Sequence, residues 1–455
     1  MIPLSNTIVQ LTVTKETKDI AMPFRKGETQ LSSGSAFFIE KKKPFLLTCN
    51  HCVENAIHIN VYIPKYGKQK FDAIVYSRCP LFDIAILEVK DCPNFHDAFP
   101  LQKNGIQITK SGDRVEAIGF PLGQDNIKMT RGIVSGHQFN KYQIDSPINP
   151  GNSGGPVLRD GKVIGIVNSG FIFSNDIGYA VPIERYFQLK EVMKKNTIVY
   201  PPNFFGFFLQ ENPKMNQEGL YIYNLYKRSC IVNKSVPKLK VGDVLLKLGK
   251  HKVQPNGLLD KLWMNNYMEI EDYLYNVPYG QKIPFEVKRG NRQLKGMIPV
   301  EIRVKHGEGT KLPIPFCLVG GLVFIDAKLE NLQQILMSLP YHEEKKSIEY
   351  IDSLTTLQSY LHNFLDRNRK MIMVINVLAG SIFSPYFSAF DILDTVNGQP
   401  ISKLKELKEI IYDKKPSNIK IKMMNLVSVT LSKSKLEKEK KIIDHKYGID
   451  DFYQL

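Results

Sequence analysis

Asn149-Pro150-Gly151-Asn152-Ser153-Gly154-Gly155-Pro156 sets one serine among turn-forming neighbours, just ahead of the strand-like Val157-Leu158. Glycines let a backbone bend sharply and let a second backbone come close. The stretch therefore reads as a tight loop at a strand edge, with the amides of Gly151 and Ser153 able to point into one small cavity. A nucleophilic serine needs such amides, because negative charge develops on the oxygen of the carbonyl it attacks. The plainer reading is a glycine-rich hairpin with an incidental serine, and residues upstream decide between the two.

A serine hydroxyl is a weak nucleophile until a base within hydrogen-bond reach, itself oriented by a third group, takes its proton. Phe45-Leu46-Leu47-Thr48-Cys49-Asn50-His51-Cys52 reads as an apolar strand ending in a histidine. Leu81-Phe82-Asp83-Ile84-Ala85-Ile86-Leu87 reads as a second apolar strand interrupted by one aspartate. An unpaired carboxylate there would be costly to bury, so His51 is a reasonable partner for Asp83. His, Asp, Ser is the chain order of the double-barrel chymotrypsin arrangement.

Six blocks together resemble the HtrA/Deg family of serine proteases: Ser35-Ala36-Phe37-Phe38-Ile39, Leu47-Thr48-Cys49-Asn50-His51, Phe82-Asp83-Ile84-Ala85, Ala117-Ile118-Gly119-Phe120-Pro121-Leu122-Gly123, Gly151-Asn152-Ser153-Gly154-Gly155-Pro156 and Ile177-Gly178-Tyr179-Ala180-Val181-Pro182. The later part resembles the plant-type Deg subgroup with two PDZ-like domains. The resemblance implies a mainly β chain: a chymotrypsin-like double β-barrel over residues 1–199, α+β PDZ-like domains over 200–305 and 306–430, and a charged tail over 431–455. It implies Ser153 as nucleophile, His51 as general base and then acid, Asp83 as the group that holds the imidazole, and the Gly151 and Ser153 amides as oxyanion hole. Pro147, six residues before the serine, would lie at the base of the specificity pocket, with Asn168, Ser169 and Gly170 as its wall and substrate-pairing edge. Gly320-Gly321-Leu322-Val323 reads either as a carboxylate-binding loop of the second PDZ-like unit or as a plain core strand.

Cys49 and Cys52 flank His51 as Cys-x-His-Cys. Zinc would need a fourth ligand and would occupy the base, so the expectation is no metal and no cofactor, with two small buried thiols beside the site and an oxidation-sensitive role left open. The other cysteines (79, 92, 230 and 317) form no disulfide framework, which suits a reducing compartment.

The 455 residues leave room for about two to four domains, and a hydrophobic fraction of 43% supports packed cores. The net charge of +16 is spread over a lysine-rich surface without a basic block interleaved with aromatics, so no nucleic-acid partner is expected. No apolar run has the roughly 18 residues of a membrane span, and Met1-Ile2-Pro3-Leu4-Ser5-Asn6 does not resemble a secretory leader, which points to an intracellular, cytoplasmic or nuclear, location.

Along the chain, Thr7–Val13 alternates as a first strand and Lys15–Ser33 reads as a polar loop. Pro182 opens an expected helix running to about Lys195, and Pro201-Pro202-Asn203 reads as a linker. Val241-Gly242-Asp243-Val244-Leu245-Leu246 gives a Gly-Asp turn and a strand, and a helical insertion is expected between Phe324 and Met371. Leu436–Ile443 is read equally as an exposed helix or as part of a solvated tail. By resemblance, the chain is expected to hydrolyse unfolded or exposed polypeptide without ATP and to assemble as a trimer or hexamer. The competing reading is a PDZ-based scaffold or chaperone with secondary or no proteolysis.

Overall fold

The structure is a computed structural model. It describes residues 3–171 except 18, 26, 93–96 and 139; 174–200; 207–211; 218–225; 234–306 except 265 and 301; 314–327; and 371–455 except 450. The expected linker at Pro201–Asn203 and the expected helical insertion lie outside the described residues. The chain forms two compact units, Met1–Glu16 with Thr29–Thr310, and Thr17–Glu28 with Lys311–Leu455.

The first unit begins with two closed six-stranded barrels. β1 (Ile8–Thr17), β2 (Glu28–Phe38), β3 (Phe45–Thr48), β4 (Ala56–Tyr62), β5 (Lys70–Cys79) and β6 (Ile84–Val89) run β5-β4-β1-β2-β3-β6 and close through β5–β6. β7 (Arg114–Gly119), β8 (Lys128–Gln138), β9 (Lys141–Ile144), β10 (Pro156–Arg159), β11 (Lys162–Phe171) and β12 (Ser174–Pro182) close in the order β10-β11-β12-β9-β8-β7. Closure removes the exposed edges that a six-stranded open sheet would present. Leu11, Val13, Phe37, Leu46, Leu47 and Leu87 fill the first barrel, each fully buried. Residues of the second barrel (Ile118, Phe120, Leu158, Val163 and Ile166) pack into that same cluster, so the barrels share a core. Each such aliphatic side chain contributes roughly 1.5–3 kcal/mol on burial. The loops that carry His51, Asp83 and Ser153 flank this shared core.

The expected helix after Pro182 is shorter than its pattern suggested. Pro182 closes β12 and the helix spans Glu184–Leu189. Its Arg185 is fully buried: the guanidinium lies 5.1 Å from the Phe82 ring centroid and donates to the Tyr275 carbonyl at 2.5 Å. Tyr275 sits on the helix Ile270–Asn276 and meets Phe82 edge to face at 5.6 Å. That helix covers a five-stranded antiparallel path through Phe207–Glu211, Leu220–Leu225, Val244–Leu248, Lys282–Arg289 and Arg292–Pro299. Gly242 takes φ +94°, and the buried Asp243 carboxylate that follows is gripped by Arg289 through bonds of 2.7 and 2.8 Å.

The second unit holds a four-stranded sheet ordered Ile372–Val377, Leu322–Asp326, Phe316–Val319, Tyr453–Gln454, and a second sheet around Asn418–Met423. Gly320 and Gly321 form the tight turn of the Phe316–Asp326 hairpin at φ +52° and +89°. A Cβ on either would strike Phe383, Leu436 or Ser381 within 3 Å, so this is a packed turn and not an open loop, with Leu322 and Val323 as buried strand residues. The Lys15–Ser33 stretch, read as a polar loop, instead divides: Ile20, Met22 and Phe24 pack into the core of this second unit. Ser432 Oγ caps a helix over Lys433–Tyr447, whose Leu436 and Ile443 are buried, and Ile449 and Phe452 then return to the core.

Candidate active site

β3 stops at Thr48, and Cys49 precedes a one-turn helix, Asn50–Val53, that carries His51. The sequence pattern had placed His51 on the strand itself. The Asp83 strand also begins later than expected: β6 starts at Ile84, and Asp83 occupies the preceding turn at φ +55°, a left-handed conformation that aspartate tolerates better than most residues. That turn aims its carboxylate at the His51 helix. Oδ1 accepts the His51 backbone N–H at 2.7 Å and Oδ2 faces Nδ1 at 2.6 Å. Asn168 Nδ2 makes a short bond to the same Oδ2.

Burial presses the His51 imidazole down, but its bonds to Asp83 and Cys52 outweigh that and hold it up at about 10. A carboxylate beside an imidazole favours the protonated ring. The far nitrogen, Nε2, lies 3.7 Å from Cys52 Sγ. The Ser153 hydroxyl donates to the Asn168 carbonyl at 2.9 Å. To reach Nε2 the Ser153 side chain would have to turn away from Asn168.

The serine loop is shaped by glycines that nothing else could replace. Gly151 takes φ +97°, and a Cβ there would sit 2.3 Å from the Phe120 carbonyl. Gly154 (φ +88°) and Gly155 would bring a Cβ to 2.1 and 2.0 Å from the carbonyls of Ser35 and Ile118. Ser35 Oγ donates to Gly151 O at 2.7 Å and accepts the Phe120 N–H at 3.0 Å, fastening the loop to both barrels. Among the described residues no backbone carbonyl accepts from the Gly151 or Ser153 amide.

Of the residues expected at the specificity pocket, Pro147 is exposed on the loop after β9, its carbonyl taking Thr130 Oγ1 at 3.2 Å. Ser169 and Gly170 lie on β11 opposite Tyr179 and Gly178. Asn168 is buried, and its side chain turns inward to Asp83, with Lys141 Nζ donating to its Oδ1 at 2.5 Å. Neither this bond nor the packing of Cys52 on His51 was visible in the sequence. The signal for Ser35 was present, since it opens one of the quoted blocks.

Cys49, His51 and Asp83 bring one ligand atom each within 4.8 Å of one another. Each already has a protein partner: Cys49 Sγ donates to Val167 O at 3.2 Å, and His51 and Asp83 bond each other. The set is a satisfied hydrogen-bond network of three groups, short of the four ligands of a structural zinc site.

The trypsin-like peptidase domain family matches residues 34–166 and the PDZ domain family matches residues 304–453. Protease Do-like 2, chloroplastic, of Arabidopsis thaliana is 35% identical over 190 residues, 39% of this chain and 30% of that protein. Putative protease Do-like 13 of the same plant is 27% identical over 355 residues, 72% of this chain and 70% of that protein. The chain thus spans under a third of the first relative and about two thirds of the second. A solved variant of the HtrA-type protease AlgW with a decapeptide superposes with a TM-score of 0.50 at 21% identity, covering 66% of this chain and 96% of that one, a likeness of fold. Among the described residues no helix is long and apolar enough to cross a membrane.

Proposed function

The chain belongs to the HtrA/Deg family of serine proteases, and from that premise we propose that it is an ATP-independent endopeptidase that cleaves unfolded or exposed polypeptide through an acyl-enzyme on Ser153. The observation that carries this reading is the pair of hydrogen bonds between His51 and Asp83, 2.7 and 2.6 Å, beside a serine loop in which no described backbone carbonyl accepts from the Gly151 or Ser153 amide. His51 Nε2 takes the Ser153 proton as Oγ attacks the scissile carbonyl, then returns it to the leaving amine. Asp83 fixes the ring through Nδ1 and stabilises the imidazolium while the proton is held. The oxygen of the tetrahedral intermediate is stabilised by the Gly151 and Ser153 amides. Asn168 is a positioning residue for Asp83.

Substrate enters beside Pro147, Ser169 and Gly170. Domains are assigned at 1–199, 200–305 and 306–430, with residues 431–455 as the terminal segment, and the assembly is a homo-oligomer, trimer or hexamer, by analogy with the family. The chloroplast named for one relative is neither cytoplasm nor nucleus, so the cytoplasmic or nuclear placement read from the sequence has no support there.

The test is fluorophosphonate labelling of the purified chain with mass spectrometry of the adduct, beside hydrolysis of casein. Label on Ser153 and activity that falls by on the order of a million in Ser153→Ala or His51→Ala, and about ten thousand in Asp83→Asn, are expected. Robust hydrolysis by Ser153→Ala would leave only the peptide-binding scaffold.

A further inference from the structure

The proposed mechanism makes no use of the two thiols that bracket His51. Cys52 Sγ lies 3.7 Å from His51 Nε2 and 3.5 Å from Ser153 O, with the backbone of Gly34 so close that a Cβ there would sit 3.1 Å from the sulfur. Cys49 sits three residues earlier at the other end of the same helical turn, where its carbonyl accepts the Cys52 backbone N–H at 3.2 Å, so the two free thiols bracket one turn. Cys52 is buried at 5% exposure, directly beneath a His51 side chain that is 45% exposed, so one side chain separates the sulfur from solvent.

We propose that Cys52 is a peroxide-reactive thiol that closes a reversible disulfide with Cys49 across the turn carrying His51, and so switches hydrolysis off. The switch rests on the hydrolytic reading of this site.

Geometry and charge support it together. The neighbouring Cys49 thiol draws the Cys52 thiol down to about 5, burial opposes this, and the contact with His51 adds to it. A thiolate beside an imidazolium is the reactive form of cysteine. The Cys52 thiolate attacks one oxygen of a hydroperoxide. The O–O bond breaks, an S–O bond forms, and the departing alkoxide or hydroxide takes the proton of His51, giving a sulfenic acid and an alcohol or water. The Cys49 sulfur then attacks the Cys52 sulfur, the S–S bond forms, and the sulfenic oxygen leaves as water with the Cys49 proton. Two electrons pass from the thiols to the peroxide.

An S–S bond of about 2.05 Å pulls both sulfurs from their present contacts. Cys49 leaves Val167 O, which lies next to Asn168, and Cys52 leaves Ser153 O and His51 Nε2. His51 lies inside the closed loop, and its backbone N–H and ring both depend on that turn to meet Asp83. A displacement of 1 Å in such a site costs about a hundredfold in rate.

The full-length protein is treated with hydrogen peroxide, blocked with an alkylating agent without reductant, and digested, in parallel with measurement of Ser153 labelling and casein hydrolysis. Expected are a Cys49–Cys52 disulfide in the mass map, a loss of activity of about a hundredfold, and recovery with dithiothreitol. Cys52→Ala is expected to keep its activity under peroxide, and Cys49→Ala to stop at a dimedone-trappable sulfenic acid on Cys52. Equal inactivation of Cys52→Ala, or a map in which Cys52 stays reduced while activity is lost, overturns the proposal. Should a variant fail to fold, the wild-type map decides alone. A reduced protein that never labels at Ser153 counts against the protease reading, whereas the cysteine map judges the switch separately.

Discussion

Asn168→Ala removes the side-chain donor on Asp83 and leaves the Asn168 carbonyl, which Ser153 uses, in place. Asp83 then keeps only its two bonds from His51. A hydrogen bond to a charged group contributes about 1.5–3 kcal/mol. At 1.36 kcal/mol per tenfold, that bounds the fall in rate at about 10- to 150-fold if the bond matters fully in the transition state. The loss should appear in kcat with KM little changed, because the amide touches Asp83 and not the peptide. Fluorophosphonate labelling of Ser153 should slow by the same factor, since it needs the same proton transfer. Both are measured beside a urea titration that confirms the fold. Unchanged kcat and labelling in a folded Asn168→Ala would refute the role of Asn168 in holding Asp83, and a rise in KM alone would return it to the pocket wall.

Labelling of Ser153 should accelerate as pH rises from neutral toward about 10, because His51 must lose its proton to act as base and the folded site holds that proton tightly. Its folded value is raised, so the His51–Asp83 pair adds stability that is complete below the ordinary histidine value of about 6.5 and is lost as pH climbs through about 10. Asp83→Asn should move the labelling midpoint down, and an unmoved midpoint would count against the pair. Gly151→Ala should abolish most activity, since the site demands φ +97° and puts the new methyl 2.3 Å from Phe120 O; such strain costs about 1–3 kcal/mol, readable in a denaturant midpoint, and wild-type turnover would overturn the assignment. Cleavage should follow Val, Ala, Ile or Leu, because a cation entering beside Pro147 finds no acid between Ser146 and Gly151. Sequencing of released peptides checks this, and a majority of cuts after Lys or Arg would refute it.

The barrels and the meeting of His51, Asp83 and the serine loop were legible because strand alternation, turn residues and signature blocks are local features. What the sequence hid depends on direction. Asn168 lies on a strand edge that reads as pocket wall, but the irregular register of β11 against β12 between Val167 and Ser169 turns its side chain toward Asp83. One extra residue at a bulge reverses the face a side chain takes, and composition carries no trace of it. The Cys-x-His-Cys pattern was visible, whereas the contact of Cys52 with Nε2 follows from the one-turn helix that replaced the expected strand end. Ile20, Met22 and Phe24 alternate with Ala21 and Pro23, a short apolar signal submerged in a polar stretch.

Because Ile20, Met22 and Phe24 complete the core that Phe316 and Met373 begin, the polypeptide passes between its two units at three places in sequence: after Glu16, after Glu28 and after Thr310. A single nick near Thr310 therefore leaves two fragments held by the packing of Ile20, Met22 and Phe24 into the second core and by no peptide bond, so gel mobility would report it only under denaturing conditions. Synthesis runs in the same awkward order. The ribosome delivers Phe24 about 290 residues ahead of Phe316, so three apolar side chains wait uncovered while the barrels around them fold, and it is in that interval that a holdase has something to hold.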